Sequence, residues 1–82
     1  EQNYPNPFNP VTKISYNLRE RTNVKLSVYD VNGKWVETMN NGLQEKGSHF
    51  VYFDGATLSS GVYYYKLETD FFTDTKKMIL LK

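Results

Sequence analysis

The chain contains no cysteine, so no disulfide, thiolate metal site or cysteine nucleophile can be built from it. Small exported domains often depend on disulfides. This one, if exported, must hold together by packing alone. Histidine is nearly missing as well, with His49 the sole example among 82 residues. No apolar run approaches the roughly 20 residues of a membrane-spanning helix, and no signal-peptide pattern is visible. Neither sign of charge dominates. Ten Lys and Arg stand against nine Asp and Glu, interspersed, so the basic stripe that nucleic-acid binding usually needs is absent. Proline is confined to Pro5, Pro7 and Pro10. Each fixes its own φ and lacks an N–H, and each biases the residue before it toward extended backbone. Residues 1–10 are therefore a stiff, non-helical leader and a poor central strand.

Apolar residues make up 39 % of the chain and aromatics 16 %, too much for a disordered tail. At this length the chain is one domain, 1–82, and it buries roughly 60 % of its unfolded surface. Aromatics, at roughly 150–250 Å² each when buried, supply a large share of its core. The first residue is Glu1 rather than Met, which reads as a piece of a longer protein, with any export signal on the remainder.

The dominant period is two. Ile14, Tyr16 and Leu18 alternate with polar residues, and so do Val24, Leu26 and Val28. Asp30-Val31-Asn32-Gly33 reads as a hairpin turn, with Lys34 to Asn40 the return strand. Asn41-Gly42 opens a loop that closes at Gly47. His49, Val51 and Phe53 share one face of the next strand. Leu58-Ser59-Ser60-Gly61 makes a further turn before Val62 to Thr69, where Tyr63, Tyr65 and Leu67 share a face. Thr75 to Leu81 forms the final strand, with Met78 and Leu80 on one side. A weak helical reading of Glu37 to Glu45 is opposed by Asn40, Asn41 and Gly42. Six strands result, and the leader adds a short seventh. The expected fold is an all-β antiparallel sandwich of about seven strands, because each strand has one apolar face to bury. A small barrel is the competing architecture.

Candidate chemistry is sparse. His49 faces the core side with Val51 and Phe53 and reads as a hydrogen-bonded, partly buried histidine. Catalysis would need a nucleophile and an orienting carboxylate beside it, and no motif supplies them, so no enzymatic activity is expected. Asp30, Asn32, Asp54, Asp70 and Asp74 fall in turns. The Asp30–Gly33 run opens like a calcium loop, but position 41 is Asn rather than the glutamate such a loop requires. No metal or cofactor is expected, although turn carboxylates leave a surface calcium open. Trp35, Tyr29, Tyr52 and Tyr64 lie opposite the clearest core positions. A coplanar row of them could stack on sugar rings, which makes a carbohydrate-binding or structural accessory module of a secreted enzyme the alternative function. Rim and cross-strand packing explains the same aromatics. The leader reads as a cap over one sandwich edge, with Pro7 and Phe8 pinning it to the body, or as a docking or processing feature.

Three blocks resemble a known family. The first is Asn3-Tyr4-Pro5-Asn6-Pro7-Phe8-Asn9-Pro10 with Thr12 and Ile14. The second is Val28-Tyr29-Asp30-Val31-Asn32-Gly33-Lys34. The third runs from Leu58 through Gly61, Tyr63 and Leu67 and closes with Lys76-Lys77-Met78-Ile79-Leu80-Leu81-Lys82. In order and spacing the chain resembles the type A C-terminal sorting domain of proteins exported by the type IX secretion system of Bacteroidota. It is also similar to the immunoglobulin-like domain of flagellar hook-capping proteins. The resemblance implies an immunoglobulin-like domain over 1–82, with leader 1–10 and sandwich 11–82, that directs an N-terminal cargo through the outer membrane. The implied partners are the type IX outer-membrane translocon and a sortase-like peptidase that cleaves near or before Glu1. The implied location is the periplasm in transit, then the cell surface or the medium. The sorting-motif residues it implies are Pro5, Asn6, Pro7, Phe8, Asn9, Pro10, Tyr29, Asp30, Gly33, Gly61, Tyr63, Leu67, Lys77 and Lys82.

Overall fold

Strict alternation leaves each strand with one face to bury, and in the computed structural model of the chain six antiparallel strands do so. The structure describes residue 2 and residues 4–82. Glu1 and Asn3, the latter in the leader motif, lie outside the described residues. The strands are β1 (Val11–Leu18), β2 (Thr22–Asp30), β3 (Trp35–Gln44), β4 (Gly47–Asp54), β5 (Gly61–Thr69) and β6 (Thr73–Leu80). They form two sheets of unequal size, β1-β4 and β3-β2-β5-β6. No helix occurs among the described residues.

The core lies between the sheets. β1 gives Ile14, Tyr16 and Leu18; β2 gives Val24, Leu26 and Val28; β5 gives Tyr63, Tyr65 and Leu67. Phe53 of β4, Met78 and Leu80 of β6, and Phe8 of the leader complete it. Expected and observed inner faces agree in each of these strands. Ser27 is buried on the other face of β2, beside a register shift between Leu26 and Ser27, and its hydroxyl meets Thr38 Oγ1 at 3.2 Å.

Two expectations need correction. The leader is not a seventh strand. It makes isolated bridges at Tyr4 and Phe8 only, because prolines at positions 5, 7 and 10 remove the donors a continuous ladder needs. Nor does Asn41-Gly42 open a loop. β3 continues to Gln44, since the first half of β2 pairs with it: Thr22 with Gln44, Asn23 with Leu43, Val24 with Gly42. Pairing along the neighbouring strand overrides the local turn preference of Asn-Gly. The link to β4 shrinks to Glu45 and Lys46, which carry the chain from the large sheet to the small one.

Tyr16 ties the sheets together. Its hydroxyl donates to Gln44 Oε1 at 2.6 Å and accepts from Asn40 Nδ2 at 3.1 Å. His49 stacks on its ring with centroids 5.5 Å apart and Nε2 lies 2.7 Å from the Glu45 carbonyl. His49 is thus half-buried and hydrogen-bonded. At the same end Asp70 accepts two bonds from Asn23, backbone and side chain, each 3.1 Å, while the Asp70 N–H donates to Thr22 Oγ1. This joins the β5–β6 turn to the start of β2.

The backbone and side-chain bonds from Asn23 hold the Asp70 carboxyl below its ordinary value of 3.8. A carboxyl whose folded pKa is depressed adds stability above its unfolded value and loses it as pH falls through the folded one. Asp70→Asn should therefore melt below the parent at pH 7. The gap should close as the pH is lowered past 3.8, in thermal melts followed by circular dichroism. A gap that stays constant down to pH 2 would show that Asp70 does not act through its charge.

Candidate functional site

The sorting-motif residues are far apart in sequence, so their value depends on whether folding gathers them. Most of them meet along one side of the sandwich, where the leader lies between β1 and β6. Tyr4 exchanges both backbone bonds with Lys13 of β1 at 2.9 Å. Thr12 Oγ1 donates to the Pro5 carbonyl at 2.8 Å. Asn6 then turns to the other sheet: its Oδ1 accepts from the Ile79 N–H at 2.9 Å, and its Nδ2 donates to the Lys77 carbonyl. Gln2 Nε2 also reaches the Lys77 carbonyl, at 2.8 Å. The Phe8 N–H donates to the Ile79 carbonyl and the Phe8 carbonyl accepts from Leu81, both at 2.9 Å. The Pro10 carbonyl accepts from the Gly55 N–H.

Among the described residues of the leader Phe8 alone places its side chain in the core, 2 % exposed, whereas Pro7 is exposed and does not share in the pinning expected of it. The Phe8 ring meets Phe53 edge-on at 6.1 Å. Gly55 leaves room for it: a Cβ there would lie 3.0 Å from Leu80 Cδ2 and 3.5 Å from Phe8 Cε2. Pro5, Pro7 and Asn9 are exposed around this anchor. The three proline peptide bonds are cis.

The rest of the third block closes the same region. Gly61 pairs with Leu80 and Tyr63 with Met78. The Tyr63 hydroxyl donates to the Ser59 carbonyl at 2.7 Å, and Leu67 is buried farther along β5. Lys82 holds the β4–β5 loop at two points, its N–H to Ser60 Oγ and its Nζ to the Ala56 carbonyl at 2.6 Å. The second block builds the β2–β3 turn. Asp30 Oδ1 accepts from the N–H groups of Asn32 and Lys34, both 2.9 Å, and Gly33 takes φ +81° to close it. The Asp30 carboxylate is thus engaged in its own turn. Among the described residues no three His, Asp or Glu side chains converge where a metal ion could sit.

Tyr29 joins the two regions through the outer face of the large sheet. It stands opposite Trp35 on one side and Tyr64 on the other, and Tyr64 stands opposite Lys77. The Trp35 indole N–H is taken by Thr38 Oγ1 at 2.9 Å. The fourth aromatic grouped with these, Tyr52, belongs to the small sheet, so the four form no single row. Sequence reasoning missed the Asn6 contacts to β6 and the exposed pair Phe71-Phe72. The latter lines a surface groove of about 450 Å³ with Leu18, Arg19 and Thr22. Asn-Pro spacing signals a turn and does not say which strand the asparagine will cap.

A family model described as the secretion system C-terminal sorting domain matches residues 2–81. Neither a curated protein nor a solved structure matches the chain.

Truncating Phe8 to alanine removes a buried aromatic and leaves a cavity beside Phe53 and Leu80. Such changes cost about 3–5 kcal/mol, a large part of the 5–15 kcal/mol that holds a typical domain folded. Urea titration of Phe8→Ala should show a loss in this range, with Asn9→Ala within about 1 kcal/mol of the parent because Asn9 is exposed. Equal stability of Phe8→Ala and the parent would make the leader a linker.

Proposed function

Because the chain belongs to the secretion system C-terminal sorting domain family, we propose that an outer-membrane translocon reads it as a folded surface and that a sortase-like peptidase cuts upstream of it. The domain is a sorting signal for type IX secretion, which implies a larger N-terminal cargo and export toward the outer membrane or the extracellular space. Residues 1–82 act as one unit, leader 1–10 laid against body 11–82. The cargo crosses the periplasm before the label is read. The domain performs no catalysis in this reading; it is the ligand of the translocon and the substrate of the peptidase.

The observation that carries the proposal is the convergence of the leader, the β4–β5 loop and β6 on one continuous structure. Pro5, Asn6, Phe8 and Pro10 bond to β1, β6 and Gly55, and Lys82 bonds to Ala56 and Ser60. A label made from distant segments is present only when the domain is folded, so recognition of this surface distinguishes a finished domain from an unfolded chain. Tyr29, Asp30, Gly33, Gly61, Tyr63, Leu67, Lys77 and Lys82 serve it in two ways. The buried and turn residues shape the surface. Exposed Lys77 and Lys82 and the half-buried Tyr29 present groups on it.

The test is a secreted reporter fused ahead of residues 1–82 in a bacterium with a working type IX system. The parent fusion should reach the surface or the medium. Deleting Met78–Lys82 should leave the reporter inside and the domain unfolded, because Met78 and Leu80 are fully buried and their loss uncovers core and a strand edge. Export of the deleted fusion at the parent level would refute the proposal.

A further inference from the structure

A two-sheet sandwich has four strand edges, and an unguarded edge is a template for pairing with another chain. Three of the four are guarded here. The β1 edge is bridged by Tyr4, and the β6 edge is bonded to Gln2, Asn6 and Phe8. The β3 edge is distorted by register shifts at Leu26/Ser27 and Val28/Tyr29 of its partner pairing, and such bulges turn an edge away from incoming strands. β4 differs. Among the described residues it pairs with β1 alone, in unbroken register. From Gly47 to Phe53 it has no proline, lysine, arginine or acidic residue, and Ser-His-Phe-Val-Tyr-Phe combines strong strand preference with little charge.

The geometry of this edge follows from the leader bridge. Lys13 gives both its N–H and its carbonyl to Tyr4, so its backbone turns away from β4. Its partner Tyr52 accordingly turns its own backbone groups away from β1. By alternation Ser48, Phe50 and Tyr52 present N–H and carbonyl groups at the open edge. The side chains of Phe50 and Tyr52, 56 % and 64 % exposed, lie on the outer face. The two rings meet edge-on at 5.6 Å, with Lys13 Nζ 4.5 Å from the Phe50 centroid.

We propose that β4 is a self-pairing edge, and that its occupant is β4 of a second copy of this chain, antiparallel about a two-fold axis through Phe50. The charge pattern selects this occupant and this register. Centred on Phe50, the pairing sets Phe50 against Phe50 of the other copy and Ser48 against Tyr52. It also sets Lys46 against Asp54 at both ends. Both residues are exposed, and Asp54 commits Oδ1 to the Ala56 N–H while its other oxygen faces no partner among the described residues. Moving the register by two residues either way places Asp54 opposite Ser48 or Gln44 and loses both ion pairs. The two small sheets become one four-stranded sheet, and the isologous contact closes without leaving a new open edge. The pairing is a property of the domain and is independent of how it is exported.

Sedimentation equilibrium of the 82-residue chain over a wide concentration range tests this. A monomer–dimer equilibrium is expected. Lys46→Glu or Asp54→Lys alone should weaken it roughly tenfold, since each turns two attractive contacts repulsive, and the double charge swap should restore it. Circular dichroism melts check that each variant remains folded. Under oxidation Phe50→Cys should cross-link to itself and Tyr52→Cys should not. This follows because directly opposed hydrogen-bonded residues lie about 5.5 Å apart, within disulfide reach. A chain that stays monomeric at its solubility limit overturns the proposal. So does a dimer indifferent to the charge reversals, which would use another face.

Discussion

The insertion of Phe8 between the sheets is the contact on which the rest of the structure depends. The small sheet has only two strands, and a two-stranded unit is marginal unless its face is covered. The large sheet covers that face, but the side between β1 and β6 would remain open. The leader fills it. It holds β1 through Tyr4 and Pro5 and β6 through Asn6 and Phe8, so a single segment bonds to both sheets. The Phe8 ring then occupies the space that Gly55 leaves clear above Leu80. Without that ring, Phe53 and Leu80 lose a neighbour in the core.

This coupling explains how an address label can lack disulfides and metal-binding thiolates. The residues proposed here for recognition are also structural residues. Asn6 caps backbone groups of β6 and Asp30 folds its own turn, while Lys82 ties down the β4–β5 loop. A partner that contacts the surface they shape contacts a surface that exists only in the folded state. On the proposed mode of recognition the fold and the signal are therefore lost together.

Much of this was legible in the sequence, and the failures have physical causes. Period-two alternation placed Ile14, Tyr16, Leu18, Val24, Leu26, Val28, Tyr63, Tyr65 and Leu67 on inner faces correctly, because burial on one face is a local pattern. The half-buried state of His49 followed from the same alternation. Asn41-Gly42 misled because turn preference is weak against a ladder extended by β2. The leader's spaced prolines marked it as stiff, yet its bridging of two sheets depends on bonds from Asn6 and Phe8 to residues more than seventy positions away, which no local signal encodes. The unequal sheet sizes were invisible for the same reason: β3 and β4 look alike in pattern, and the corner at Glu45-Lys46 decides which sheet each joins.

That the leader is part of the folded body rather than a tether is tested directly by amide hydrogen exchange. The N–H groups of Phe8 and Leu81, bonded to Ile79 and Phe8 respectively, should exchange nearly as slowly as those of Leu26 and Val28 in the centre of the large sheet. Exchange at the rate of an unstructured peptide, while β2 stays protected, would contradict it.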